Sequence, residues 1–126
     1  MKSKIYALVV SILLTTPFFL TSCTKEDNKA QVLVWQGFTC ADSWKSVGVS
    51  SLTCYVNGQL MASQAATVYF NSTPNCSSNG GMKFEINLQK NTTGRINIIV
   101  KDQNGLEWYN EQLDIKSSDC NLLELI

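Results

Sequence analysis

The sequence predicts an all-β protein: an antiparallel two-sheet sandwich of about seven or eight short strands, stabilised by disulfides. Three observations carry that expectation. Apolar and polar residues alternate at period two in several short runs, most cleanly over Met82–Gln89. Turn-forming residues interrupt the chain about every 8–12 residues. Beyond the N-terminal region, Cys40, Cys54, Cys76 and Cys120 make an even set suited to an exported, oxidised domain.

Gln31-Val32-Leu33-Val34-Trp35 is β-prone and reads as the first strand, placed at a sheet edge because a polar tether precedes it. Gln36 to Val47 reads as a loop. Ser51–Val56 alternates, with Leu52, Cys54 and Val56 on one face and Thr53 and Tyr55 on the other. Asn57-Gly58 then predicts a type I′ hairpin into Gln59–Ala62, since both central residues of that turn need positive φ. Ala66–Asn71 alternates again and reads as a strand. Ser72–Gly81 is rich in turn residues around Cys76.

Met82–Gln89 should turn Met82, Phe84, Ile86 and Leu88 to a core and Lys83, Glu85, Asn87 and Gln89 to water, as an antiparallel sheet with one wet face requires. Asn91–Gly94 turns the chain into Arg95–Val100, with Ile96, Ile98 and Val100 inward. Asp102-Gln103-Asn104-Gly105 turns it again. Leu106–Ile115 is strand-like once a bulge near Asn110 brings Trp108 and Leu113 into phase. Ser117–Asp119 is a turn, and Cys120–Ile126 is a closing strand. No segment reads as a helix.

The N-terminus has a different character. Lys2 and Lys4 precede an apolar run, Ile5–Leu20, which ends at the small residues Thr21 and Ser22. The run is shorter than the roughly 20 residues a membrane span needs, and Pro17 interrupts it. Residues 1–22 therefore read as a signal peptide. Leu20-Thr21-Ser22-Cys23 resembles the bacterial lipobox, which implies lipidation of Cys23 and a membrane-anchored mature chain. Two or more acyl chains hold such a chain stably, at about 0.8 kcal/mol per buried methylene. Residues 23–30 read as the lipidated cysteine and a flexible tether, and residues 31–126 as the β-sandwich domain. Lys25-Glu26-Asp27 looks like the acidic export tag of Bacteroidota-type surface lipoproteins. The implied location is the outer membrane, on the cell surface, with the periplasmic face as the alternative.

Composition excludes several classes. The chain has no histidine, and Lys and Arg balance Asp and Glu at ten each. The commonest general base and metal ligand are absent, and no basic patch supports nucleic-acid binding. The cysteines form no C-x-x-C pair, so neither a zinc site nor a thioredoxin-type motif is expected. Among the three pairings open to Cys40, Cys54, Cys76 and Cys120, Cys40–Cys54 with Cys76–Cys120 is slightly favoured.

The order of motifs along the chain resembles a domain of small Bacteroidota-type lipoproteins. These are in turn similar to carboxypeptidase-regulatory or transthyretin-like sandwiches. The residues that carry the resemblance are Val32–Trp35, Val56-Asn57-Gly58, Pro74-Asn75-Cys76, Met82–Leu88, Gly94, Gly105 with Trp108, and the late Cys120. Gly94 departs from the pattern, being followed by Arg95-Ile96 rather than an aromatic strand, and Cys54 within the hairpin strand is a second departure. The resemblance implies a fold and a location, not an activity.

Candidate sites are few. Asp42, Glu85, Asp102, Glu107, Glu111, Asp114, Asp119 and Glu124 form no recognisable acid/base pair. Asp102–Gly105 lacks the later ligands of a calcium loop and reads as a hairpin turn. Asn71-Ser72-Thr73 and Asn91-Thr92-Thr93 read as turn chemistry. The aromatics Trp44, Tyr55, Tyr69, Trp108 and Tyr109 fall near loops or on expected outer faces; the favoured reading is that they cover the sandwich ends or plug the core, and the alternative is that they stack on sugars or anchor a protein partner. The expectation is a non-catalytic binding or display module without cofactor or metal, taking a glycan or protein ligand. A structural accessory to an outer-membrane complex is the alternative, and a hydrolase is least favoured.

Overall fold

The computed structural model describes residues 29–89 and 92–126. Signal peptide, Cys23 and the Lys25-Glu26-Asp27 motif lie outside the described residues. Seven strands and one helix follow in order: β1 (Lys29–Gln36), α1 (Phe38–Ser46), β2 (Ser51–Val56), β3 (Gln59–Ala65), β4 (Met82–Asn87), β5 (Thr93–Asp102), β6 (Glu107–Lys116) and β7 (Cys120–Leu125). They form the expected two-sheet sandwich, with a three-stranded sheet ordered β4-β1-β7 and a four-stranded sheet ordered β3-β2-β5-β6. Lys29 and Ala30, assigned to the tether by sequence, already belong to β1.

The four-stranded sheet is the part most directly written in the sequence. Asn57 and Gly58 take φ of 49° and 87° and close the β2–β3 hairpin, as a type I′ turn demands. Leu52, Cys54 and Val56 of β2 and Ile96, Ile98 and Val100 of β5 point inward and are buried. They meet Val32, Val34, Met82 and Phe84 of the opposing sheet in a single core.

The first strand is central, not at an edge. β1 pairs antiparallel with β4 and parallel with β7, from Gln31 opposite Cys120 to Gln36 opposite Leu125. The sandwich is thus antiparallel except at this pair of first and last strands. Its near-continuous apolar run suits a strand covered on both faces. Val32 and Val34 enter the core. Leu33 and Trp35 face the other way, beneath the segment between β3 and β4. Phe70 of that segment packs edge-on against Trp35 at 6.3 Å, and Phe70 N–H donates to Gln36 O. Ala66–Asn71, expected as a strand, is therefore a cover over the outer face of the smaller sheet. Gly81 permits the close approach: its φ is 78°, and a Cβ there would lie 2.6 Å from Leu33 Cδ1.

One disulfide, Cys76–Cys120, joins this cover to the start of β7 across 44 residues. Loop entropy for that length corresponds to about 4 kcal/mol. The favoured second bridge does not form: Cys40 and Cys54 are free thiols. Cys54 is buried in the core on the inner face of β2, while Cys40 sits on α1 against Tyr109. Each is packed in a different place.

Gln36–Val47 is not a loop but mostly helix. α1 buries only Ala41 and Trp44, one turn apart. Its Ser43 and Ser46 hydroxyls fold back onto the carbonyls of Cys40 and Ser43. The helix is held by tertiary contact rather than by an apolar stripe.

Candidate functional site

The helix, the start of β6 and the end of β7 meet at one end of the sandwich. They enclose an open, mostly apolar groove of about 560 Å³. β1 enters from the opposite end at Lys29, where Ser118 N–H donates to Lys29 O, and delivers Gln36 and Gly37 to the groove. Eight extended residues span roughly 25 Å, so the groove lies at the pole far from the N-terminal entry.

Gln36 organises the floor. It is fully buried, an uncommon place for an amide unless its hydrogen bonds are met. Its Nε2 donates to Ala66 O at 2.9 Å and Val68 O at 2.7 Å, and its Oε1 accepts Trp44 Nε1–H at 2.7 Å. One side chain thus ties the helix and the cover segment to the central strand. It also occupies the carbonyls of 66 and 68 that a ladder would otherwise have used.

Trp44, read from sequence as a loop residue, stands on α1, is 5% exposed and forms the groove's inner wall. Trp108 stands edge-on to it at 5.2 Å, and Tyr109 at 6.3 Å. Trp108 is placed by a bulge, which falls two residues earlier than the expected Asn110. Val100 pairs with Tyr109 and Lys101 with Glu107, leaving Trp108 as the extra residue. The bulge re-aims the indole, as bulges do, and Trp108 remains 38% exposed.

Asp102 fixes that indole. Its Oδ1 accepts Asn104 and Leu106 N–H at 2.8 and 3.0 Å, and its Oδ2 accepts Trp108 Nε1–H at 3.0 Å. These bonds, that from Trp108 first, hold the carboxyl below its ordinary 3.8. The Asp102–Gly105 stretch is a hairpin turn, with the carboxylate occupied by its own loop. Gln103 braces the turn from the side, accepting Ser50 N–H and donating to Gly48 O.

Tyr109 O–H donates to Ile126 O at 2.6 Å, leaving the Cys40 thiol as the donor in its 3.9 Å contact with the phenol oxygen. Burial raises the Cys40 thiol above 9.0, the hydrogen bonds oppose this, and the Glu124 charge adds to the rise. The thiol stays neutral and is no activated nucleophile. Burial chiefly, with Cys40 beside it, also pushes the Tyr109 phenol upward.

Of the aromatics singled out from sequence, Trp44, Trp108 and Tyr109 come together. Tyr69 stands at the margin, edge-on to Phe38 at 5.2 Å. Tyr55 lies elsewhere, on the outer face of the larger sheet beneath Lys101 Nζ at 4.9 Å. Sequence reasoning missed Phe38, Val47, Glu124 and Ile126, which line the groove. Phe38 and Val47, both more than half exposed, were hidden by reading their segment as loop. Among the described residues, no cluster of three or more metal-ligating side chains occurs.

No family model, curated protein or solved structure matches the chain.

Proposed function

We propose that the protein is a non-catalytic, lipid-anchored binding module of the bacterial outer membrane, with its ligand groove at the pole opposite the anchor. One observation carries the reading: the exposed aromatic groove lies a full strand length from the point where the N-terminal segment enters the fold. Residues 23–28 would join Cys23 to that entry, so an acylated cysteine would leave the groove facing away from the membrane. Exposed apolar side chains clustered in a concavity are costly to keep in water and mark interaction sites. Phe38, Val47 and Trp108 form such a cluster.

The lipobox resemblance supports the anchor, and the Lys25-Glu26-Asp27 resemblance supports the cell surface. Two changes test the reading. Cys23→Ala should move the protein out of the membrane fraction; retention there would exclude lipid anchoring as the sole attachment. Protease added to sealed cells should remove a C-terminal tag from the native protein. Protection until the outer membrane is opened would place the domain on the periplasmic face.

A further inference from the structure

The Thr39 hydroxyl aside, the side-chain hydrogen-bond donors on the groove's walls are turned into the protein. Trp44 Nε1–H goes to Gln36, Trp108 Nε1–H to the Asp102 carboxylate, and Tyr109 O–H to Ile126 O. The Ser43 and Ser46 hydroxyls are committed to helix carbonyls. A sugar needs donors and acceptors around its hydroxyls as well as a stacking face, and these five groups offer it no donor.

What faces the groove is different in kind. Trp108 and Phe38 present aromatic surface, Trp44 and Tyr109 back it, and Glu124 is the only lining residue with a formal side-chain charge. Phe38 and Trp108 are accessible, at 57% and 38%. The N–H···carboxylate bond from Trp108 to Asp102 pushes electron density into the indole and makes its face a better partner for positive charge. Tryptophan is already the best aromatic for that role.

Resting on the binding-module reading, we propose that the groove takes a small soluble organic cation, a quaternary ammonium compound, with its methyl groups against Trp108 and Phe38 and its charge balanced by Glu124. The volume suits a ligand of that class rather than a single ion. A soluble source fits the groove's position, facing away from the membrane that holds the anchor.

The test uses full-length protein purified from membranes in an uncharged detergent. Choline and its neutral carbon isostere, 3,3-dimethylbutan-1-ol, are titrated against tryptophan fluorescence and the indole N–H signals. The expected result is at least tenfold tighter binding of choline, with the Trp108 signal responding most. Glu124→Gln should weaken choline about five- to tenfold and leave the isostere unchanged. Trp108→Phe, which keeps an aromatic ring, should weaken choline several-fold, with Trp108→Ala as the stronger variant if it stays folded. Equal affinity for the two isosteres, or no effect of Glu124→Gln, would overturn the cation and leave the groove as a site for neutral apolar ligands. If neither probe binds, the cation proposal fails. The binding-module reading then fails separately only if glycan and protein arrays also show no difference between the native protein and Trp108→Ala.

Discussion

Replacing Gln36 with methionine keeps the length and unbranched shape of the side chain but deletes its amide. Three hydrogen bonds disappear, of 2.9, 2.7 and 2.7 Å. Two of the abandoned partners sit where water does not reach: Ala66 is 1% exposed and Trp44 is 5% exposed. An orphaned buried donor or acceptor costs about 1–3 kcal/mol, so this pair costs roughly 2–6 kcal/mol. Val68 is half-buried, and its carbonyl can turn to solvent. Burying a thioether in place of an amide returns about 1–2 kcal/mol. The net expectation is a loss of about 1–4 kcal/mol, against a total of order 5–15 kcal/mol for a domain of this size. In urea the midpoint should fall by roughly 1–2 M with an unchanged slope. Gln36→Glu gives an independent reading. Its carboxylate would be buried and face the carbonyls of 66 and 68, so its pKa should rise above the ordinary glutamate value of about 4.3. Its stability should be retained below that value and lost as pH climbs through the raised one. A Gln36→Met protein within about 0.5 kcal/mol of the native one, or a Gln36→Glu protein no more pH-sensitive than the native one, would refute the role assigned to Gln36.

Four further outcomes are expected. Trp44→Ala should cost about 3–5 kcal/mol as a buried large-to-small change, and Trp108→Ala, at a partly exposed site, clearly less; equal thermal shifts would contradict their assignment as framework and groove lining. Asp102 has a lowered folded pKa, so its contribution is present above the ordinary 3.8 and lost as pH falls through the lowered value. Acid unfolding of Asp102→Asn should therefore be less pH-dependent in that window than that of the native protein, where Asp114, lowered by Arg95, titrates alongside. Burial pushes the Cys54 thiol to about 12 from 9.0, so its contribution is intact below 9.0 and lost between the two values. Peptide mapping after iodoacetamide should find Cys54 modified only in unfolded protein and Cys40 modified earlier. Gly81→Ala should destabilise by about 1–3 kcal/mol in thermal melts, from a left-handed φ combined with the 2.6 Å approach to Leu33.

Elements with one buried face were legible. β4 and β5 alternate because one side meets the core and the other meets water, and Asn57-Gly58 turns because few other pairs tolerate its φ values. Elements shaped by distant partners were not. β1 follows a polar segment, which suggested an edge, yet its unbroken Val32–Trp35 run already fits a strand covered on both sides. Ala66–Asn71 has strand-like alternation, but Gln36 claims its carbonyls and Phe70 covers Trp35. α1 is too short and too rich in serine to announce itself, and it exists because Trp44 is anchored to Gln36. The groove was half visible. Trp108 and Tyr109 stand out as aromatics beside a turn. Phe38, Val47 and Glu124 become its walls only when helix and last strand converge.

Anchoring at Cys23 decides whether the groove is presented outward from a membrane, and the mass of the N-terminal peptide of the native protein tests it most directly. A peptide that begins at Cys23 and carries a diacylglyceryl thioether is the expected result. A peptide that begins at Met1, or at a residue other than Cys23, with an unmodified thiol would contradict the anchored module.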